Sequence, residues 1–244
     1  MKRFLMMHVF AFVLCAIATF QSAYAEGMDG KLTPPKNRPI KVAFVLNEGA
    51  VVIDFGGPWE VFSNVMLPGD FKNMQDSMPF DLYTVGTSTK PIHTSGTHSP
   101  GMQITPDYDF SNVPEPDLVV VPADKGSPAL TAWLKKINAD HKIIMSVCTG
   151  AFNLAETGLL DGKVATTHHD ALDEFAKHYP NIKVVRGARY VQSSPTLFTS
   201  GGLSAGIDLA LHIVEEYYGR DVAQATADNL EYQGTGWKMP PLQK

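Results

Sequence analysis

The chain has 244 residues, with 25 acidic against 20 basic ones for a formal charge of −5, and 44 % hydrophobic content, enough for a sizeable core. The basic residues are scattered along the chain, which excludes the clustered positive footprint of a nucleic-acid binder. Two cysteines occur, Cys15 and Cys148.

The first 25 residues read as an export signal. Lys2 and Arg3 precede an apolar run from Phe4 to Phe20, and Ala23-Tyr24-Ala25 is an A-x-A cleavage site. The run is short for a spanning helix, which needs about 20 residues, and Leu14 before Cys15 is not the small residue of a lipoprotein signal. The mature protein is therefore expected to be exported, periplasmic and free of a stable membrane anchor. Cys15 leaves with the signal, so Cys148 is the single remaining thiol and no intramolecular disulfide can form. An unpaired thiol in an oxidising compartment is either deeply buried or put to use.

Residues 26–39, "EGMDGKLTPPKNRP", hold three prolines and no periodicity, and read as a linker or tail. The domain is expected over 40–219. "IKVAFVL" (40–46), "FDLYTVG" (80–86), "DLVVVP" (117–122) and "KIIMSV" (142–147) are short β-branched runs of buried strands. Helical segments are expected between them at 58–66, 128–138 and 151–157. "KVATT" (163–167), "IKVV" (182–185), "RYVQS" (189–193) and "LFTSG" (197–201) add strands. "SAGIDLALHIVEEYYG" (204–219) has helical spacing and a C-cap in Gly219. Residues 220–244 form a C-terminal extension expected to pack on the domain. Segments 67–79 and 87–112 read as loops or insertions at the sheet's edge, shaping the pocket mouth or an interface. Strand and helix alternation predicts an α/β three-layer sandwich, a mostly parallel sheet covered by helices on both faces, flavodoxin-like in its layout.

Ligands gather at the carboxyl ends of such strands, and Cys148 sits where 142–147 gives way to a helix. Ser146-Val147-Cys148-Thr149-Gly150 has small residues two before and two after the cysteine. That is the spacing of a nucleophile elbow, a sharp strand-to-helix turn with a strained central residue. The following helix offers an N-terminal partial charge and free N–H groups, expected to lower the thiol pKa and able to hold an oxyanion.

"VCTGAFNLAETGLLDGKVATTHH" (147–169), "VIDFGGPWEVF" (52–62) and "TSGGLSAGIDLALHIVE" (199–215) are three ordered blocks that resemble the ThiJ/PfpI family, within the class I glutamine amidotransferase-like fold. The resemblance runs from about Ile40 to Gly219 and is nearest to the isonitrile hydratase-like branch, which is similar also to the sensor domains of AraC-type regulators. It implies a cofactor-free, cysteine-dependent enzyme acting on a small electrophile, a hydro-lyase or hydrolase, with Cys148 as nucleophile and Asp54 as its acidic partner. It implies a backbone N–H, and the hydroxyl, of Thr149 beside the reacting atom, His168 as a second proton carrier, and Gly57, Pro58 and Gly150 around the pocket. The family commonly has Pro-Gly-Gly after the strand at 117–121, the second glycine lending an N–H to the oxyanion, and this chain has Pro122-Ala123-Asp124. The N–H of Asp124 is expected to take that place, since only the main chain is used, while its carboxylate beside the thiol would raise the thiol pKa.

Each residue also has a plainer role. Cys148 can be a small buried hydrophobe, Asp54 a helix cap, and Glu60 a surface residue. His168 and His169 stand at a strand end, where consecutive side chains point to opposite sides, so at most one faces the pocket. His93, His98, His168 and His169 lack the tight spacing of a metal site, and no metal or cofactor is expected. A non-catalytic protein that binds a small ligand or senses redox stress through the same cysteine is the alternative function, as is amidase- or deglycase-like hydrolysis. The expected partners are a small molecule and a second copy of the chain in a homodimer; the roughly 25 residues after Gly219 leave no room for a helix-turn-helix domain.

Overall fold

In a computed structural model, residues 32–96 and 98–241 are described. The expected export signal lies outside the described residues, as does the start of the 26–39 linker.

The sheet is built from the runs whose side chains are apolar on both faces. Strands β1 (Ile40–Val45), β2 (Phe80–Gly86), β6 (Leu118–Val121), β7 (Ile143–Ser146) and β11 (Leu197–Ser200) pair in parallel. Antiparallel β10 (Tyr190–Ser194) closes one edge and the short β5 (Tyr108–Asp109) the other, giving the order β10-β11-β7-β6-β1-β2-β5. The predicted strand positions hold, with one correction. The segments at 163–167 and 182–185 contribute β8 (Val164–Ala165) and β9 (Lys183–Val184), which pair with each other in a separate two-stranded sheet. The 87–112 insertion folds into a hairpin of β3 (Ile92–His93) and β4 (Gln103–Ile104) before reaching β5.

Alternation along each strand separates two cores. Ala43, Val45, Val119, Val121 and Ile144 face α2 (Pro128–Ala139) and α3 (Gly150–Ala155). On the other face Phe44 meets Trp59 and Phe62 of α1 (Val52–Ser63), and Phe80 meets Tyr217 and Tyr218 of α5 (Ala205–Tyr218). Helices thus cover both faces of a mostly parallel sheet, as predicted.

Helix α1 begins six residues earlier than the sequence suggests. Proline favours the first helical turn, which made Pro58 the natural start, yet here it lies inside the helix and leaves the Asp54 carbonyl without its usual donor. Asp54 is accordingly in the first helical turn and not a cap. Helix α5 ends at Gly219 with φ of 88°, as the C-cap reading requires. Two helices escaped the sequence reading, α4 (Leu172–His178) and α6 (Arg220–Asn229). The buried face of α6 is made of Val222, Ala223, Thr226 and Ala227, small residues in a segment too polar on average to read as a core helix.

Glycines permit two close approaches beside the elbow. A Cβ on Gly150 would overlap the carbonyl oxygens of Val121 and Pro122, and one on Gly206 would lie 2.8 Å from Val147 Cγ1. Gly56, inside α1, has nothing within 4 Å and no positive φ. Gly150→Ala should therefore cost about 1–3 kcal/mol because backbone must move, while Gly56→Ala should gain up to about 1 kcal/mol from helix propensity. Opposite shifts of the two urea midpoints check this.

Candidate active site

Four adjacent strands, β1, β6, β7 and β11, deliver their carboxyl ends to one place. Cys148 follows β7 with φ of 58°, in the left-handed region that a side chain rarely adopts. Three bonds hold it there. Its N–H donates to the Gly201 carbonyl after β11 at 3.0 Å, and its own carbonyl accepts from the Thr167 hydroxyl at 2.9 Å and the Ala151 N–H at 3.4 Å. The elbow predicted from spacing is present. Cys148 keeps only 7 % of its surface exposed.

Asp54, fully buried, is brought to the thiol by the first turn of α1. Its Oδ2 accepts from the Ala123 N–H after β6 at 3.2 Å. Oδ1 has no bond of ordinary geometry, and the Cys148 thiol and Leu203 N–H are the polar groups near enough to draw the carboxyl pKa down. Burial outweighs them and lifts Asp54 to about 6. The thiol moves further. Burial first, then the Asp54 charge, push it up to about 11, against the pull of the Thr149 and Leu203 N–H groups. The depressed thiol pKa expected from the helix N-terminus is thus reversed. Helix α3 has six residues, and its end contributes less than desolvation takes away.

Sequence reasoning missed Leu203. Its N–H faces both Asp54 and Cys148, and its φ of 54° places it in the same unusual region as the cysteine. The Gly201-Gly202 pair before it was the available signal of a tight turn, but nothing in the letters marked the residue after the glycines. Thr149 lends its N–H to the sulfur, while its hydroxyl caps nothing. The Asp124 carboxylate does not face the thiol. It accepts from the Asn47 N–H at 3.2 Å, Asn47 Nδ2 at 2.9 Å and Asn153 Nδ2 at 2.8 Å.

Gly57 and Pro58 are found in the seam between α1 and α5, where a Cβ on Gly57 would lie 2.9 Å from Ile207. Glu60 is exposed. His168 packs its ring on Gly202, accepts from the Asp170 N–H at 3.3 Å through Nδ1, and makes no hydrogen bond to Cys148. The expectation that His168 and His169 diverge fails. The chain enters a 3-10 turn at His169–Ala171, and the two rings lie 4.3 Å apart. With Asp170 they bring three donor atoms within 4.8 Å of one another, two of the residues being exposed. His93 lies elsewhere, 3.8 Å from Glu48.

A buried thiol, a carboxylate that is ionised near neutral pH and two N–H groups around one sulfur can move a single proton and stabilise developing negative charge. The chain is similar to several known proteins. An isonitrile hydratase from Pseudomonas putida is 31 % identical over 202 residues, covering 79 % of this chain and 78 % of that protein. The HTH-type transcriptional regulator CdhR from Pseudomonas aeruginosa is 33 % identical over 137 residues, 54 % of this chain but only 40 % of the regulator. Among solved structures, a ThiJ/PfpI family protein from Pseudomonas syringae superposes with a TM-score of 0.65 at 25 % identity, covering 84 % of this chain and 78 % of that one. The DJ-1/PfpI family pattern matches residues 40–216, and on that match the chain belongs to the DJ-1/PfpI family.

Proposed function

We propose that the protein is a cofactor-free enzyme that hydrates an isonitrile, or a closely similar small electrophile, through Cys148. The observation that carries this reading is the pairing of a strained, nearly buried thiol with the buried Asp54 carboxylate. The 31 % identity to a protein named isonitrile hydratase supports the choice of substrate.

The thiol is protonated at neutral pH and Asp54 is the base. As Cys148 sulfur adds to the terminal carbon of the isonitrile, Asp54 takes the thiol proton and passes it to that carbon, leaving a thioimidate. Water then adds to the same carbon as Asp54 relays one of its protons to the thioimidate nitrogen, and the carbon–sulfur bond breaks as the new hydroxyl gives Asp54 its remaining proton and becomes the formyl carbonyl. The proton returns to sulfur, and the product is the N-substituted formamide, the isonitrile plus one water. Charge developing next to the sulfur meets the Thr149 and Leu203 N–H groups, which are already in place. With the thiol near 11 and the acid near 6, the two groups share one proton, and their titrations belong to the pair.

The raised thiol pKa also favours a second reading, a binding or sensing pocket in which the cysteine is not a nucleophile. A panel of isonitriles, amides and α-oxoaldehydes separates the two. Turnover of an isonitrile by the wild type, lost by at least about 10³-fold in Cys148→Ser with the fold intact by circular dichroism, is expected. A thiol that is alkylated while no member of the panel is turned over would favour the sensor.

The pH dependence has a definite sign. Asp54 must be ionised to act as a base, so kcat/KM should rise as pH passes upward through about 6. Iodoacetamide labelling should show the same step, with a second rise near 11 as the thiol ionises unaided. In Asp54→Asn the step should vanish and the upper rise should fall below 11, since one of its causes is removed.

Stability should run opposite to activity. A carboxyl that holds its proton more tightly when folded stabilises the protein below its unfolded pKa near 4, and that contribution is lost as pH rises to about 6. The difference between an unfolded value near 4 and a folded one of about 6 corresponds to roughly 3 kcal/mol. Asp54→Asn should therefore raise the Tm at pH 8 more than at pH 4, which differential scanning calorimetry can read.

A further inference from the structure

The segment after β6 carries a side chain that the proposed chemistry does not use. Ala123 grips the acid through its N–H and accepts from the Val51 N–H at 2.9 Å, just before the helical turn that bears Asp54. The next residue, Asp124, is tied in three directions. Its Oδ2 takes both donors of Asn47 at the end of β1, and its Oδ1 takes Asn153 Nδ2 from α3, the helix that starts at the elbow. Asn47 is itself fixed, its Oδ1 accepting from the Thr87 N–H at 3.0 Å and hydroxyl at 2.8 Å. One carboxylate therefore links the carrier of the acid to the carrier of the thiol. Lys125 adds a backbone tie to the same loop, its N–H donating to the Glu48 carbonyl 3.0 Å away.

Resting on the reading of Cys148 and Asp54 as the reacting pair, we propose that Asp124 is a positioning residue, a clamp that sets the Asp54–Cys148 geometry by holding the Ala123 N–H in register with the elbow helix. Burial raises the Asp124 pKa to about 6, and its neighbours Asn47 and Asn153 are neutral. Among the described residues, Asp54 faces Cys148 as its titratable neighbour, with the Ala123 and Leu203 N–H groups completing its surroundings. Loosening Ala123 removes a bond that favours ionised Asp54, so the proton should leave Asp54 only at higher pH.

The donor pattern supplies a rescue. In Asp124→Asn the amide takes over the acceptor role toward Asn47 but turns a donor against the Asn153 donor, breaking the link to α3. Adding Asn153→Asp restores it, with Asn at 124 donating to the new carboxylate. The test is the rate of iodoacetamide labelling of Cys148 against pH in the full chain, beside kcat/KM for an isonitrile and a thermal melt. Asp124→Asn and Asn153→Ala should each lower the labelling plateau above pH 7 about five- to tenfold and move its step upward from about pH 6 by at least half a unit, and Asp124→Asn/Asn153→Asp should recover both. Single variants that lose Tm but keep the wild-type step and plateau, or a double variant that recovers Tm alone, would overturn the proposal. Labelling needs no turnover, so a wild type inactive on isonitriles with a shifted step in the single variants would sink the proposed reaction and leave the clamp standing.

Discussion

A cysteine held at φ of 58° is the constraint on which the site depends. Left-handed backbone at a residue with a Cβ costs about 1–2 kcal/mol, and such strain survives only where the surroundings over-determine it. Here β11 supplies the Gly201 carbonyl, the segment after β8 supplies the Thr167 hydroxyl, and Gly150 and Gly206 give the room that any side chain would fill. The strained turn places the sulfur beside the acid. Leu203, whose N–H reaches the same sulfur, is held in the same kind of backbone, so two strained residues meet at one thiol.

Two effects compete over the charge on that sulfur, and the magnitudes decide between them. Backbone N–H groups at a short helix are worth a few tenths to about 1 kcal/mol toward the thiolate, whereas removing a charge from water costs several. Asp54 adds like-charge repulsion. Desolvation wins, and the site rests with its proton on the sulfur and its charge on the carboxylate. A lone thiol that keeps its proton is guarded from casual oxidation.

The sheet was legible because strands such as "IKVAFV" and "LVVV" are apolar on both faces, and that demands cover on both sides. Cys148 was legible for the same local reason, small residues at fixed offsets around a strand end. The start of α1 was not, because the rule that places proline at a helix N-terminus is statistical and tertiary contacts override it. Leu203, Asn47 and Asn153 were illegible for a different reason. Their roles come from backbone groups, or from amides paired with a partner 77 or 29 residues away, and no local pattern encodes such pairs. The sequence did register Asp124 as a departure from glycine, but the direction of its carboxylate was fixed by Asn47 and Asn153, so the feared repulsion of the thiol never arises.

The turn bearing Leu203 needs a brace, and the C-terminal segment provides it. Arg189 donates through Nε to Asp208 at 2.6 Å and reaches Ser204, the residue after Leu203, at 3.2 Å, while its carbonyl accepts from the Gly201 N–H. Asp208 is almost wholly buried and accepts in addition from Tyr232 Oη and the Trp237 N–H, each at 3.1 Å. Trp237 is fully buried with Arg220 and Lys238 over its ring. A buried carboxylate with that many donors is costly to leave half satisfied, so the segment that satisfies Asp208 also holds Arg189, and through it the Gly201–Ser204 turn. The sulfur is therefore steadied from two sides by carboxylates that never touch it, Asp124 behind the acid and Asp208 behind the turn.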